Sequence, residues 1–179
     1  RNDVGYASTH SMGASRVNVD LRDTPMAVVT LNEQLLRDLG PINLMEALQY
    51  VSNLAQNGTG VEEIYSLRGV VVQGSQRDGL PEPGGPNLGV NNAIIDPAFV
   101  ERIEVIKGPA GTIYGAHDLG GVINRVSKLA NPSSTFGSVQ IGLGSFDLRR
   151  AVVDYNRAFA DGAAAVRATA LFQDGEVLT

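Results

Sequence analysis

One stretch, residues 100–128, VERIEVIKGPAGTIYGAHDLGGVINRVSK, restricts what this chain can become more than any other. It opens as a strand, with Ile103 and Val105 on one face and Arg102 and Glu104 on the other. Gly108-Pro109 stops that strand, because proline has no N–H for a ladder. Its fixed φ suits the first position of a helix, so a short helical turn is predicted over 110–114. Gly115 suits the left-handed residue that closes such a turn. Gly120-Gly121 makes a second tight reversal, and 122–128 return as a strand. Small residues fill the connection, as where backbone passes close to another surface. The unit is a compact α/β corner.

The segments before it read as scaffold. Residues 1–14 carry no period and read as a frayed tail. Residues 15–21 alternate weakly as a strand, 22–25 (RDTP) form a turn, and 26–31 form a β-branched strand. Thr30 with Glu33, or Asn32 alone, caps a helix over 33–39 that Gly40-Pro41 ends. Asn43 with Glu46 caps a second helix over 44–51, in which Leu44, Ala47, Leu48 and Val51 share one face. Residues 61–72 hold Arg68-Gly69 in a strand-like context. Residues 73–92 are dense in Gly, Pro and Asn and cannot be regular throughout. Loops this long are often functional, which singles out the polar side chains Gln73, Gln76, Arg77 and Asp78. Asp96-Pro97 starts a short helix.

After Lys128 the pattern changes. Residues 130–134 read as a linker. Val139, Ile141 and Leu143 then alternate with polar or small residues, as do Ala151, Val153 and Tyr155, and Val166, Ala168, Ala170 and Phe172. These are three strands of about ten residues with one mostly apolar face. Residues 145–147 and 160–162 join them. Outer-membrane barrel strands look like this, and so does a soluble antiparallel meander.

Several chemistries lack their residues. The net charge of −5 argues against nucleic acid as a main partner. With no cysteine there is no disulfide, thiolate metal site or Cys nucleophile. The histidines, His10 and His117, have no neighbouring ligand set, and no metal or other cofactor is expected. There is no Gly-x-Ser-x-Gly elbow, and the glycine-bracketed 108–115 loop lacks the ending of a phosphate-binding loop. Glu101 and Glu104 lie three apart on a strand, so they are expected to point apart and not to share a substrate. No catalytic set emerges, and the chain does not read as an enzyme. No apolar run approaches the ~20 residues of a transmembrane helix. No signal peptide is visible, and the chain reads as a mature or excised piece.

The order Glu101-Arg102-Ile103-Glu104-Val105, Lys107-Gly108-Pro109, Tyr114-Gly115 and Gly120-Gly121-Val122-Ile123-Asn124 resembles the C-terminal signature of the plug domain of TonB-dependent outer-membrane receptors. Ile64-Tyr65-Ser66-Leu67-Arg68-Gly69-Val70 resembles the family's second signature, and LRDTP before an apolar strand resembles the opening of siderophore-receptor plugs. The resemblance covers nearly all of 15–179. It implies an α+β fold: a mixed-sheet plug with short helices over 15–129, a linker over 130–134, and the first antiparallel strands of an incomplete barrel over 135–179. It also decides the late strands in favour of the barrel. A plugged transporter needs 22 strands of about ten residues, on the order of 220 in all, so the barrel continues beyond this chain.

The resemblance further implies a plug that blocks the lumen at rest and yields when TonB pulls the N-terminus. No convincing TonB box is visible, and the box is expected upstream of Arg1. The implied ligand is a scarce one, most readily a ferric siderophore, with cobalamin or glycans as alternatives. Arg68 and Lys107, with Glu101, Arg102 and Glu104, are implied plug–barrel contacts; Gln73, Gln76, Arg77 and Asp78 are implied ligand contacts. The implied place is the outer membrane, with the plug in the barrel lumen, facing the periplasm. Two other readings remain: a soluble α/β ligand-binding domain with a C-terminal meander, and an enzyme using the 108–115 loop for an anion.

Overall fold

A computed structural model describes residues 5–6, 8–11, 19–24, 26–41, 43–56, 64–72, 75–82, 96–108 and 120–175. The chain divides into two units, Arg1–Ser127 and Lys128–Thr179.

In the first unit the described strands are β1 (His10–Ser11), β2 (Val19–Asp20), β3 (Ala27–Leu31), β4 (Leu54–Gln56), β5 (Tyr65–Leu67), β6 (Val70–Val72), β7 (Ser75–Arg77), β8 (Leu80–Pro81), β9 (Val100–Lys107) and β10 (Gly121–Ser127). Two helices, α1 (Glu33–Leu39) and α2 (Leu44–Leu48), follow β3. The centre is a five-stranded sheet in the order β3-β9-β10-β7-β8. It is mixed: β9 runs antiparallel to β3 and β10, while β7 runs parallel to β10. β9 and β10 sit in its middle because both are buried along almost their whole length.

Register gives the sheet two different faces. Ile103, Val105 and Ile123 join the helix residues Leu36, Leu44, Ala47 and Leu48 in the main core. Burying each of these large side chains is worth about 1.5–3 kcal/mol. The other face carries a small apolar cluster of Ile106 and Val122, with Met26 and Val28 against it. Beside that cluster, Thr30, Glu104, Asn124 and Gln76 stand in one row across four strands.

Local signals set the helices. Asn32 Oδ1 accepts from Leu35 N at 2.9 Å, and Gly40, at φ 60°, closes α1 in the left-handed conformation. Asn43 Oδ1 accepts from Glu46 N at 2.8 Å, but α2 stops at Leu48, three residues before the periodicity predicts. Val51 still reaches the core, because its N–H bonds Leu48 O across a tighter turn.

Three expectations need correction. The described part of 1–14 is held rather than frayed: Gly5 O accepts from Asn32 Nδ2, and β1 pairs with β2. Leu21, read as strand, opens a 3-10 turn, Leu21–Asp23, capped by the Asp20 side chain. Residues 75–81 are not loop. β7 and β8 form a hairpin around Asp78 and Gly79, whose φ angles of 54° and 79° give the turn whose twist suits a two-residue hairpin.

The second unit is a three-stranded antiparallel sheet of β11 (Phe136–Leu143), β12 (Arg149–Phe159) and β13 (Ala164–Asp174), in that order. Val139, Val153 and Ala170 share a row, as do Ile141, Ala151 and Phe172. This face is exposed, with Ile141 at 78% and Phe172 at 66%. Asp154 and Asn156 lie on the opposite face and are buried. No described helix is long and apolar enough to cross a membrane, which says nothing of strands.

Candidate functional site

The β5–β6 hairpin turns at Arg68-Gly69, with φ 53° and 81°. Arg68 is thus the first turn residue rather than a strand arginine, and its backbone N–H is held by Asn53 O at 3.1 Å. The turn is exposed. The guanidinium lies beside Gly108, where an added Cβ would sit 3.7 Å from Nη1. Next along the chain is Lys107, the last residue of β9 and almost fully buried. Its Nζ donates to Ser52 O at 2.7 Å and Ser52 Oγ at 2.9 Å. Burial, and secondarily the Arg68 charge, hold its pKa below the ordinary lysine value. Neither cation pairs with a carboxylate among the described residues. The result is a cationic corner at one end of the sheet.

Further back along β9 one cation serves two acidic residues. Arg102 Nε donates to Glu104 Oε1 at 2.9 Å, and Nη1 donates to Glu101 Oε1 at 3.2 Å. The expectation that the two carboxylates point apart is corrected here, since both reach Arg102. Register shifts at this point, with Arg102 opposite Val126 and Val100 opposite Ser127, so Glu101 is the extra residue of a β-bulge. A bulge re-aims its side chain. Glu104, fully buried, also accepts from Asn124 Nδ2 at 3.0 Å, and Asn124 Oδ1 accepts from Gly79 N at 3.0 Å. A continuous polar chain therefore joins β9, β10 and the β7–β8 turn.

The residues singled out near that turn separate. Gln76 is buried within the sheet. Arg77 is exposed and pairs with Glu82 at 2.7 Å. Asp78 binds Ser127 N and Ser127 Oγ, both at 2.8 Å, while Asp78 N donates to Arg125 O. Arg125 in turn pairs with Glu82 and donates to Ser75 Oγ. Sequence reasoning missed Ser52, Arg125 and Glu82; the Asp-Gly pair was the one local signal of this hairpin. Gly69, Gly108, Gly120 and Gly121 stand at turns or strand ends, whereas Asn124 lies in the middle of β10. Gln73, Pro109, Tyr114, Gly115 and His117 lie outside the described residues.

In the second unit the buried face carries its own ion cluster. Asp154 accepts from Lys128 Nζ at 3.0 Å and from Arg167 Nη2 at 2.6 Å, with Thr169 Oγ1 at 3.2 Å. Asn156 accepts from Asn131 N and donates to Asn131 O and Ser134 O. These contacts place 128–134 with the strands that follow.

No group of metal-binding side chains occurs among the described residues. A mixed-sheet domain with internal charge clamps, followed by strands that are apolar on one face and charged on the other, defines a plug leading into a barrel wall. The family model for the TonB-dependent receptor plug domain matches residues 20–122, and the chain belongs to that family. It is 30% identical over 166 residues to the ferripyoverdine receptor of Pseudomonas aeruginosa, covering 90% of this chain and 20% of that protein. It is 32% identical to the catecholate siderophore receptor Fiu of Escherichia coli, covering 88% and 21%. The structure of the P. aeruginosa pyoverdine receptor FpvA bound to pyoverdine superposes with a TM-score of 0.87 at 28% identity, over 97% of this chain and 26% of that one. The chain thus spans about a fifth of the length of these curated relatives. These relatives are named as receptors.

Proposed function

We propose that this chain is the plug and the first wall strands of an outer-membrane transporter that takes up a ferric siderophore, driven by TonB. One observation carries the reading. The family-matched domain runs directly into strands whose apolar face is exposed while the opposite face buries Asp154 with Lys128 and Arg167. Such strands suit lipid on one side and a polar lumen on the other. The relatives narrow the ligand class, since their names specify ferripyoverdine, metal-pseudopaline and catecholate siderophores.

In this reading the cationic corner of Arg68 and Lys107 faces acidic residues of the barrel wall. Lys107 acts there as a point charge, and Arg68 can make the two-pronged bond. Glu101, Arg102 and Glu104 compensate one another and shape the adjoining surface. Arg77 is the side chain of the β7–β8 hairpin best placed to meet ligand, while Gln76 and Asp78 hold the hairpin's form; Gln73 stays a ligand contact by resemblance. In this reading the plug is residues 15–129 and the wall strands are 135–179, with the joining residues from Lys128 onward bonded to the strands through Asp154 and Asn156.

Removing residues 1–129 from the full receptor tests the gating role. Planar-bilayer recording is expected to show a large, unregulated conductance that the intact receptor lacks. A plug-less barrel with no added conductance would overturn the proposal.

A further inference from the structure

The N-terminal segment is tied lengthwise along α1. Gly5 O accepts from Asn32 Nδ2 at 2.9 Å, at the start of the helix. Tyr6 Oη donates to Asp38 Oδ2 at 3.0 Å, in its last turn. Asn32 serves twice, because its Oδ1 caps the helix while its Nδ2 holds the strap. Further on, His10 and Ser11 pair with Asp20 and Val19, and Leu21 N donates to Thr9 O at 2.9 Å. The Tyr6 side chain is 54% exposed, so hydrogen bonds rather than burial hold it. Exposed contacts of this kind open far more readily than a packed core.

The anchor points decide where force enters. Asn32 directly follows the C-terminal residue of β3, the edge strand of the central sheet, whereas residues 21–26 lead into its N-terminal end at Ala27. A pull arriving through a latched strap bears on Asn32 and α1. A pull arriving after release bears on Ala27, which pairs with Lys107.

We propose that the described residues 5–6 and 8–11 belong to a strap whose latch on α1, through Gly5–Asn32 and Tyr6–Asp38, must open before an N-terminal pull is delivered to β3. The proposal rests on the transport reading for the pull but not for the latch.

Two measurements on the full-length receptor test it. The first is hydrogen exchange of the amides of 5–11. Tyr6→Phe and Asp38→Ala, each of which removes the Tyr6–Asp38 bond, are expected to raise the rate by about threefold or more. Arg37→Ala, on the same helix, is expected to leave it unchanged. Unchanged rates in both latch variants would overturn the latch. The second bridges Tyr6→Cys to Asp38→Cys with a reducible bifunctional thiol reagent in a receptor otherwise free of cysteine. Uptake of iron-loaded pyoverdine or catecholate siderophore is expected to fall about tenfold or more, with siderophore binding intact, and to return on reduction. Uptake unaffected by the bridge would overturn the gating role of the latch. If the unbridged receptor takes up no siderophore, the transport reading fails, and the exchange experiment alone judges the latch.

Discussion

Asn124 spends both ends of one buried amide, donating to Glu104 and accepting from Gly79. Asn124→Ala leaves a buried carboxylate oxygen and a backbone N–H without these partners. A loss of about 2–3 kcal/mol is expected in urea unfolding, because an unsatisfied buried polar group costs its full desolvation. Lys107 gives a pH test. Its folded-state pKa lies below the ordinary 10.5, so the unfolded chain binds more protons between the two values. The penalty of burying the charge is fully present below the folded pKa and is relieved as pH rises toward 10.5. Melting temperatures should therefore rise with pH across that window in the wild type relative to Lys107→Met. Parallel curves would show that the buried ammonium carries no such penalty.

Among the elements, the β9–β10 pair is closed by Gly121, at φ 138°, where an added Cβ would lie 2.1 Å from Ile106 O. Gly121→Ala is expected to prevent the receptor from accumulating, read by immunoblot of outer membranes, while Gly142→Ala, whose added Cβ would meet nothing closer than 3.8 Å, accumulates. Elements marked by local chemistry were legible in the sequence: Asn32 and Asn43 as caps, Gly40 as a stop, and the alternation of β11, β12 and β13. The signature over 100–128 gave the family and the two central strands. Pairings between remote segments were not legible. Nothing in QGSQRDGLP announces that β7 lies parallel to β10, since strand register depends on partners 48 residues away, as Ser75 is from Ile123. The Ser52–Lys107 bond and the bulge at Glu101 were hidden for the same reason.

On the scale of the molecule, the two faces of the second unit should respond differently to charge. Val153 lies mid-strand on the exposed apolar face, whereas Gln140 lies on the other. Val153→Arg is expected to cost about 2–4 kcal/mol in folding of the full receptor into lipid vesicles, measured by urea titration. Gln140→Arg should cost much less. Equal costs would mean that the exposed face does not meet lipid.

The strand order of the central sheet bears on how the molecule is made. β3 and β7 border β9 and β10, yet both are synthesised well before them. A growing chain that has reached only residue 99 offers β3 no partner from this sheet and β7 only the two-residue β8 beside it, so closure waits for the last quarter of the domain. An unfinished polypeptide of this kind stays slack and threadable, the condition required of any chain that must be passed through a narrow translocation channel before it folds.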